Sequence, residues 1–260
     1  LRGLTYMELH VTAADKDLHS GGYGGAIPNP ALILAQMIAK LHNADSSIAV
    51  PGFYDKVRPL TADDRLEIAQ LALPDSEYLN ITGAPGMWGE AAYTADERIV
   101  ARPTMEINGL LSGWTGEGAK TVLPCKAMAK ISCRLVADQE PVEIYELVKA
   151  YIAQIAPSNV HAELKLLNYG DPAMIDPHLP VMQAAVRAYE RGWGKAPLYA
   201  RTGGSIPVVA DFKRILGVDT VMLGFGLNTD GAHGPDEHYS IEMFHKGIDT
   251  AIYYLEEVAK

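Results

Sequence analysis

Thr5-Tyr6-Met7-Glu8-Leu9-His10-Val11-Thr12 alternates without a break, Met7, Leu9 and Val11 on one face and Tyr6, Glu8, His10 and Thr12 on the other. That period of two predicts a half-buried strand. A Gly-rich loop leads from it to Asn29-Pro30, an N-cap followed by Pro at the first helical position. Leu34, Met37, Ile38 and Leu41 then form an apolar helical stripe. Residues 62–73 read as a second short helix, 79–95 as an aromatic and Gly-containing loop, and Thr104–Gly109 as a strand. Thr121–Val136 ends in another strand, with Ile131, Cys133 and Leu135 inward and Lys130, Ser132 and Arg134 outward. Residues 141–155 place Ile144, Leu147, Val148, Tyr151, Ile152 and Ile155 on one helical side, and Val160–Leu166 alternates again. The order β-α-(insert)-β-β-α-β predicts a ferredoxin-like unit over residues 5–168. It is a four-stranded antiparallel sheet backed by two helices, with a helical insert at about 44–100.

The rest of the chain differs. Gly170, Pro172, Pro177 and Pro180 mark a hinge. Beyond it a helix (180–191), a strand (197–201), a helix (206–215), a strand (218–224), a loop and a long helix (240–258) alternate. Two strands do not make a doubly wound sheet, so residues 169–260 are expected to be the C-terminal part of an α/β domain whose first half is absent. The fold class is therefore α/β, with an α+β first domain.

Composition narrows the function. Of 260 residues, 48% are hydrophobic and 21% charged, which excludes disordered, collagen-like and coiled-coil chains. The net charge of −10, with no Lys/Arg run, argues against nucleic acid as a partner. The longest apolar stretch, Ala31 to Ala39, is broken by Gln36 and too short for a membrane span. Cys125 and Cys133 lie on what reads as one strand, about 26 Å of extended chain apart, so they do not pair with each other. A reducing, cytoplasmic compartment is the default.

Four loops carry unusual residues. Asp17-Leu18-His19-Ser20-Gly21-Gly22-Tyr23-Gly24-Gly25 is either a flexible connector or a place where the backbone approaches a ligand, with His19 projecting from it. Gly203-Gly204-Ser205-Ile206-Pro207 leads into a helix that Ser205 fits as N-cap; it lacks the spacing of a serine-hydrolase elbow. Asp230–His238 packs two His and three carboxylates into nine residues, readable as a metal site or as a polar loop before the last helix. Thr115–Thr121 precedes the strand whose outward Arg134 is either a surface cation or a bidentate carboxylate clamp.

Together Asp17–Gly25, Arg102-Pro103-Thr104, Thr115–Pro124, Arg201–Pro207 and Ala232–Tyr239 resemble the carnosinase-like dipeptidases. These belong to the di-zinc metallopeptidase family 20, with aminoacylase and several carboxypeptidases. The motifs stand in family order from Leu1 to Lys260. The resemblance implies a catalytic α/β domain interrupted by a lid that dimerises, the lid being residues 5–168 and the end of the catalytic domain residues 169–260. It implies His233 as a ligand of one of two divalent metal ions, zinc foremost, with manganese and cobalt as alternatives. It implies His19 as an oxyanion and substrate residue acting in the partner subunit's site. Thr121, Arg134 and Ser205 would contact the substrate near its C-terminal carboxylate, with the Gly203–Gly204 backbone close by. Thr202 stands where an acidic residue is usual, and Asp236 where Asn is usual. The family's remaining metal ligands and general-base Glu precede the lid.

The expected activity is metal-dependent hydrolysis of a dipeptide amide bond by a parent enzyme, this chain being an incomplete and inactive portion of it. An N-acyl-amino-acid amidohydrolase, a non-catalytic dimerisation module and a small-ligand sensor remain alternatives. The expected partners are a small peptide and a second copy of the chain, paired through a sheet edge or the Leu34/Met37/Ile38/Leu41 helix; neither nucleic acid nor membrane is expected.

Overall fold

The structure, a computed structural model, describes residues 1–227, 229–232 and 234–260. In chain order the first elements are β1 (Gly3–Thr12), a two-residue β2 (Leu18–His19), one turn of helix α1 (Ser20–Tyr23) and α2 (Pro30–Ala39). Three short helices follow, α3 (Ala62–Ala69), α4 (Asp75–Thr82) and α5 (Ala95–Ala101), then β3 (Thr104–Ser112), β4 (Val122–Leu123) and β5 (Lys126–Leu135). After α6 (Pro141–Ile155) and β6 (His161–Gly170) come α7 (Pro180–Trp193), α8 (Pro207–Asp211) running into a π-helical turn (Phe212–Leu216), and α9 (Ile241–Val258).

The alternation of residues 5–12 is realised over ten residues, with Thr5, Met7, Leu9 and Val11 buried. β1 lies at the centre of a four-stranded antiparallel sheet ordered β3-β5-β1-β6, the ferredoxin-like order. Met7 stands opposite Ile131 on β5 and Leu166 on β6. α2 packs over β5 and β1, and α6 over β6 and β1, closing one face of the sheet. The core joins Met7, Leu9, Leu34, Ile131, Leu135 and Val148, each worth about 1.5–3 kcal/mol of apolar burial. Leu34, Met37 and Leu41 are buried in this core. That stripe packs on the chain's own sheet, while Leu32 on the same helix stays exposed.

Local chemistry accounts for the helices. Asn29 Oδ1 accepts from the Ala31 amide at 3.0 Å, with Pro30 at the first position of α2. Thr61 with Asp64, and Thr94 with Glu97, form capping boxes that start α3 and α5. The insert is thus more helical than the 79–95 loop reading allowed. α3 ends at Ala69 rather than 73, where Pro74 caps the next helix. Pro124, which lacks an amide proton, separates β4 from β5, so Thr121–Val136 is not one run. Both cysteines are free, and burial pushes the Cys133 thiol up.

Buried Gln139 closes the corner before α6. Its Oε1 accepts from the Val136 amide at 3.0 Å and its Nε2 donates to the Phe53 carbonyl at 2.8 Å. Gln139→Leu leaves both backbone groups unpaired and should cost about 3 kcal/mol, read as a lower urea midpoint at unchanged slope. A loss below about 1 kcal/mol would show that these groups find other partners.

The chain divides into two compact units, Leu1–Ala173 with Arg201–Asp211, and Met174–Ala200 with Phe212–Lys260. In the second unit α7 packs on α9. The strands expected at 197–201 and 218–224 do not form among the described residues. A strand exists only where a neighbour takes its N–H and C=O groups, and no neighbouring strand stands beside either segment. The α7–α9 seam is made of Ala184, Ala185 and Ala188 against Gly247, Thr250 and Glu257. Trp193 Nε1 donates to Thr250 Oγ1 at 3.0 Å, and Arg187 and Arg191 grip Glu257 at 2.8 and 3.0 Å. The apolar ridge of α9, Ile241, Phe244, Ile248, Ile252 and Leu255, is exposed. No described helix is long and apolar enough to cross a membrane.

Candidate functional site

The predicted site residues of the first unit fall into two groups. Beyond the Thr12 end of β1, the Ala13 amide donates to the Cys125 carbonyl at 2.9 Å and the Cys125 amide donates to Asp17 Oδ1 at 2.9 Å. These Cys125 bonds hold the Asp17 carboxyl below the usual carboxylate range. The tie sets β2 against β4, with His19 opposite Val122. His19 Nε2 then lies 3.3 Å from Thr121 Oγ1, both side chains exposed. The Gly21 amide donates to His19 Nδ1 at 3.1 Å. A backbone N–H can only donate, so in neutral His19 the proton sits on Nε2, on the side shared with Thr121 Oγ1. A Cβ on Gly21 would meet His19 Cε1 at 2.8 Å, so glycine is what lets the ring lie there.

At the other end of the sheet Arg134, opposite Leu4, donates from Nη1 to Ser205 Oγ at 2.7 Å. Ser205 donates in turn to the Gly3 carbonyl at 3.3 Å. The serine hydroxyl thus serves Arg134 and β1 instead of capping a helix, and α8 begins only at Pro207. The Gly204 amide donates to Thr202 Oγ1 at 3.2 Å. A Cβ on Gly203 would sit 2.9 Å from Ile99 Cγ2 and 3.1 Å from the Ile99 carbonyl oxygen, so α5 is packed against this loop. Arg201 is gripped by Asp64 and by Glu67, the latter at 3.0 Å. The Thr61 hydroxyl and amide, with Arg201 behind them, hold the Asp64 carboxyl down to about 2.

Lys126 and Arg134 stand at the two ends of β5, about 27 Å apart along an extended strand. Thr121 therefore lies with His19, apart from Arg134, Gly203, Gly204 and Ser205. Sequence reasoning misses Arg2, and gives Asp17 and Arg201 no role of their own within the loops it names. Strand parity was a readable signal for Arg2, since it falls two residues before Leu4 on the outer face.

His233 lies outside the described residues. Around it, Asp230 is buried and accepts from the Leu227 amide at 2.7 Å, and the His238 amide donates to the Asp230 carbonyl at 2.9 Å. That carboxylate is already committed to its own turn. No group of three or more His, Cys, Asp and Glu among the described residues is placed to hold a metal ion. The described residues do not by themselves form a metal site.

Comparison with known proteins places this arrangement. Residues 2–160 match the peptidase dimerisation domain (M20_dimer). The chain is 30% identical over 265 residues to the Cys-Gly metallodipeptidase DUG1 of Candida albicans, covering 100% of this chain and 54% of that protein. It is 25% identical to the Beta-Ala-His dipeptidase of Homo sapiens over 98% of this chain and 51% of that protein. The solved structure of the di-peptidase Dug1p from Saccharomyces cerevisiae superposes with a TM-score of 0.83 at 27% identity, over 98% of this chain and 54% of that one. The chain spans about half the length of the curated relatives it matches. With the sheet, its helices and the matched model all lying within one continuous stretch, the chain belongs to the M20 peptidase dimerisation-domain family.

Proposed function

We propose that the chain supplies the dimerising lid and part of the catalytic domain of a metal-dependent dipeptidase. The lid is residues 5–168, with its insert at about 44–100, and the C-terminal part of the catalytic domain is residues 169–260. The observation that carries this reading is the separation of two donor groups on one sheet. His19 with Thr121 stands at one end, and Arg134 with Ser205 at the other. A dipeptide reaches about 7 Å fully extended, so it cannot touch both groups of one chain. His19 and Thr121 therefore serve the partner's site, and Arg134 and Ser205 their own.

Within that assignment each residue has one task. Arg134 offers a fork whose Nε and Nη2 make no hydrogen bond among the described residues, suited to a free C-terminal carboxylate. Ser205, with the Gly203–Gly204 backbone, lines the same pocket. His19 directs Nε2–H at the carbonyl oxygen of the bond being cut, where charge develops. The cofactor is two divalent metal ions, zinc foremost with manganese and cobalt as alternatives, and His233 is one ligand.

The copies pair through the edge of the lid sheet. β3 is an edge strand whose adjacent Leu110 and Leu111 are 62% and 55% exposed, and a two-fold pairing there satisfies both copies. A dimerisation module without catalysis is the second reading, favoured by the matched family model ending at residue 160.

The test is release of amino acids from free-acid dipeptides by the full native polypeptide loaded with zinc, manganese or cobalt. Metal-dependent turnover that a chelator abolishes is the expected result. A dimer that turns over no dipeptide with any of the three metals supports the module instead.

A further inference from the structure

Two consecutive carbonyls turn toward Arg2. Gly203 O accepts from Arg2 Nε at 3.0 Å, and Gly204 O accepts from the Arg2 backbone N–H at 3.0 Å. Arg2 Nη1 also reaches the Arg102 carbonyl just past α5, at 3.3 Å. The guanidinium thus ties the start of β1 to the Gly203 carbonyl and to the Arg102 carbonyl through two separate nitrogens, which the single nitrogen of an ammonium cannot reproduce in the same geometry.

The peptide units involved are trans, so each N–H points away from its own carbonyl. With both carbonyls on the Arg2 side, the amides of Gly204 and Ser205 face the other way. Gly204 N–H is taken by Thr202, whereas Ser205 N–H makes no hydrogen bond among the described residues. Ser205 Oγ lies 2.7 Å from Arg134. Burial, with the Arg134 charge nearby, lowers Arg2 to about 10, which leaves it charged at neutral pH.

We propose that Arg2 is a positioning residue: its guanidinium, on the Gly203 carbonyl, anchors the loop so that its main-chain N–H holds the Gly204 carbonyl and the Ser205 amide turns toward the carboxylate that Arg134 holds. The substrate half of this inference rests on the dipeptidase reading above. Arg2 itself need not touch the substrate. It decides which side of the loop carries donors and which carries acceptors, and a carboxylate tolerates only donors.

The experiment uses Arg2→Gln and Arg2→Lys in the full native polypeptide. For free-acid dipeptides KM should rise about tenfold in both variants with kcat within about twofold, and KM for the matching C-terminal amides should stay unchanged. Without substrate, hydrogen exchange of the amides in residues 202–205 should quicken about tenfold. In a Ser205→Ala background, which removes the hydroxyl and keeps the amide, Arg2→Gln should still raise KM about tenfold, because the two changes act on different donors. Full rescue by Lys would mean that charge alone matters and overturns the proposal. An unchanged KM overturns it even where exchange quickens. If Arg2→Gln fails to fold, Arg2→Lys carries the same comparison. If the native polypeptide hydrolyses no dipeptide, the dipeptidase reading falls and takes the substrate half with it, while the exchange rates still decide whether Arg2 sets the loop.

Discussion

A one-to-one mixture of His19→Ala and Arg134→Met variants of the full polypeptide, each inactive alone, should recover about a quarter of its catalytic sites once subunits exchange. In the heterodimer one site combines an intact Arg134 with the partner's intact His19, and the other carries both defects. Random exchange puts half of the molecules in that form, each with one working site. The length of β5 keeps the His19–Thr121 couple and the Arg134–Ser205 pair from meeting one dipeptide in the same chain. The prediction extends to Thr121. Thr121→Ala should complement Arg134→Met and should not complement His19→Ala, because His19 and Thr121 share one end of the lid. Exchange confirmed by native mass measurement, with no activity returning, would place His19 in its own subunit's site. Recovery between Thr121→Ala and His19→Ala would break the pairing of those two residues.

Arg134→Lys should lower kcat/KM for free-acid dipeptides by about 30- to 100-fold and leave C-terminal amides within about threefold of the original enzyme. The guanidinium already spends Nη1 on Ser205 and can still offer two parallel donors to a carboxylate. An ammonium offers a point charge and cannot hold Ser205 and a carboxylate in the same plane. The preference for free acids over amides is the quantity to measure, since it cancels any general loss of stability. Equal losses on both substrates would make Arg134 a surface cation whose bond to Ser205 is structural.

Local periodicity carried most of the first unit. The alternation around Met7, Leu9 and Val11, the stripe of α6 and the Asn29-Pro30 start of α2 are properties of neighbouring residues, and they suffice to order a ferredoxin-like sheet. The second unit was harder because the segments at 197–201 and 218–224 are apolar enough for strands, yet a strand also needs a hydrogen-bonding neighbour, and sequence cannot say whether one is present. Pro124 was a visible signal for the break between β4 and β5. The site was legible as residue types and not as groups. Arg134 and Ser205 are 71 positions apart, and nothing local says that Thr121 stands with His19 instead. Arg2 precedes the alternating run and so carries no periodic signal of its own, although the same parity that places Leu4 outward places Arg2 beside it.

Helix α9 carries two faces that respond to salt in opposite directions. The seam that joins it to α7 is gripped by Arg187, Arg191 and Lys260 around buried Glu257, and ions weaken these pairs by screening their exposed cationic ends. The open ridge from Ile241 to Leu255 is apolar, and excluded salts such as sulfate drive that kind of surface to be covered. Raising sulfate therefore weakens the ionic part of that seam while strengthening the attraction of the ridge to any apolar surface that meets it. The ionic medium, as much as the residues, sets which side of α9 holds more firmly.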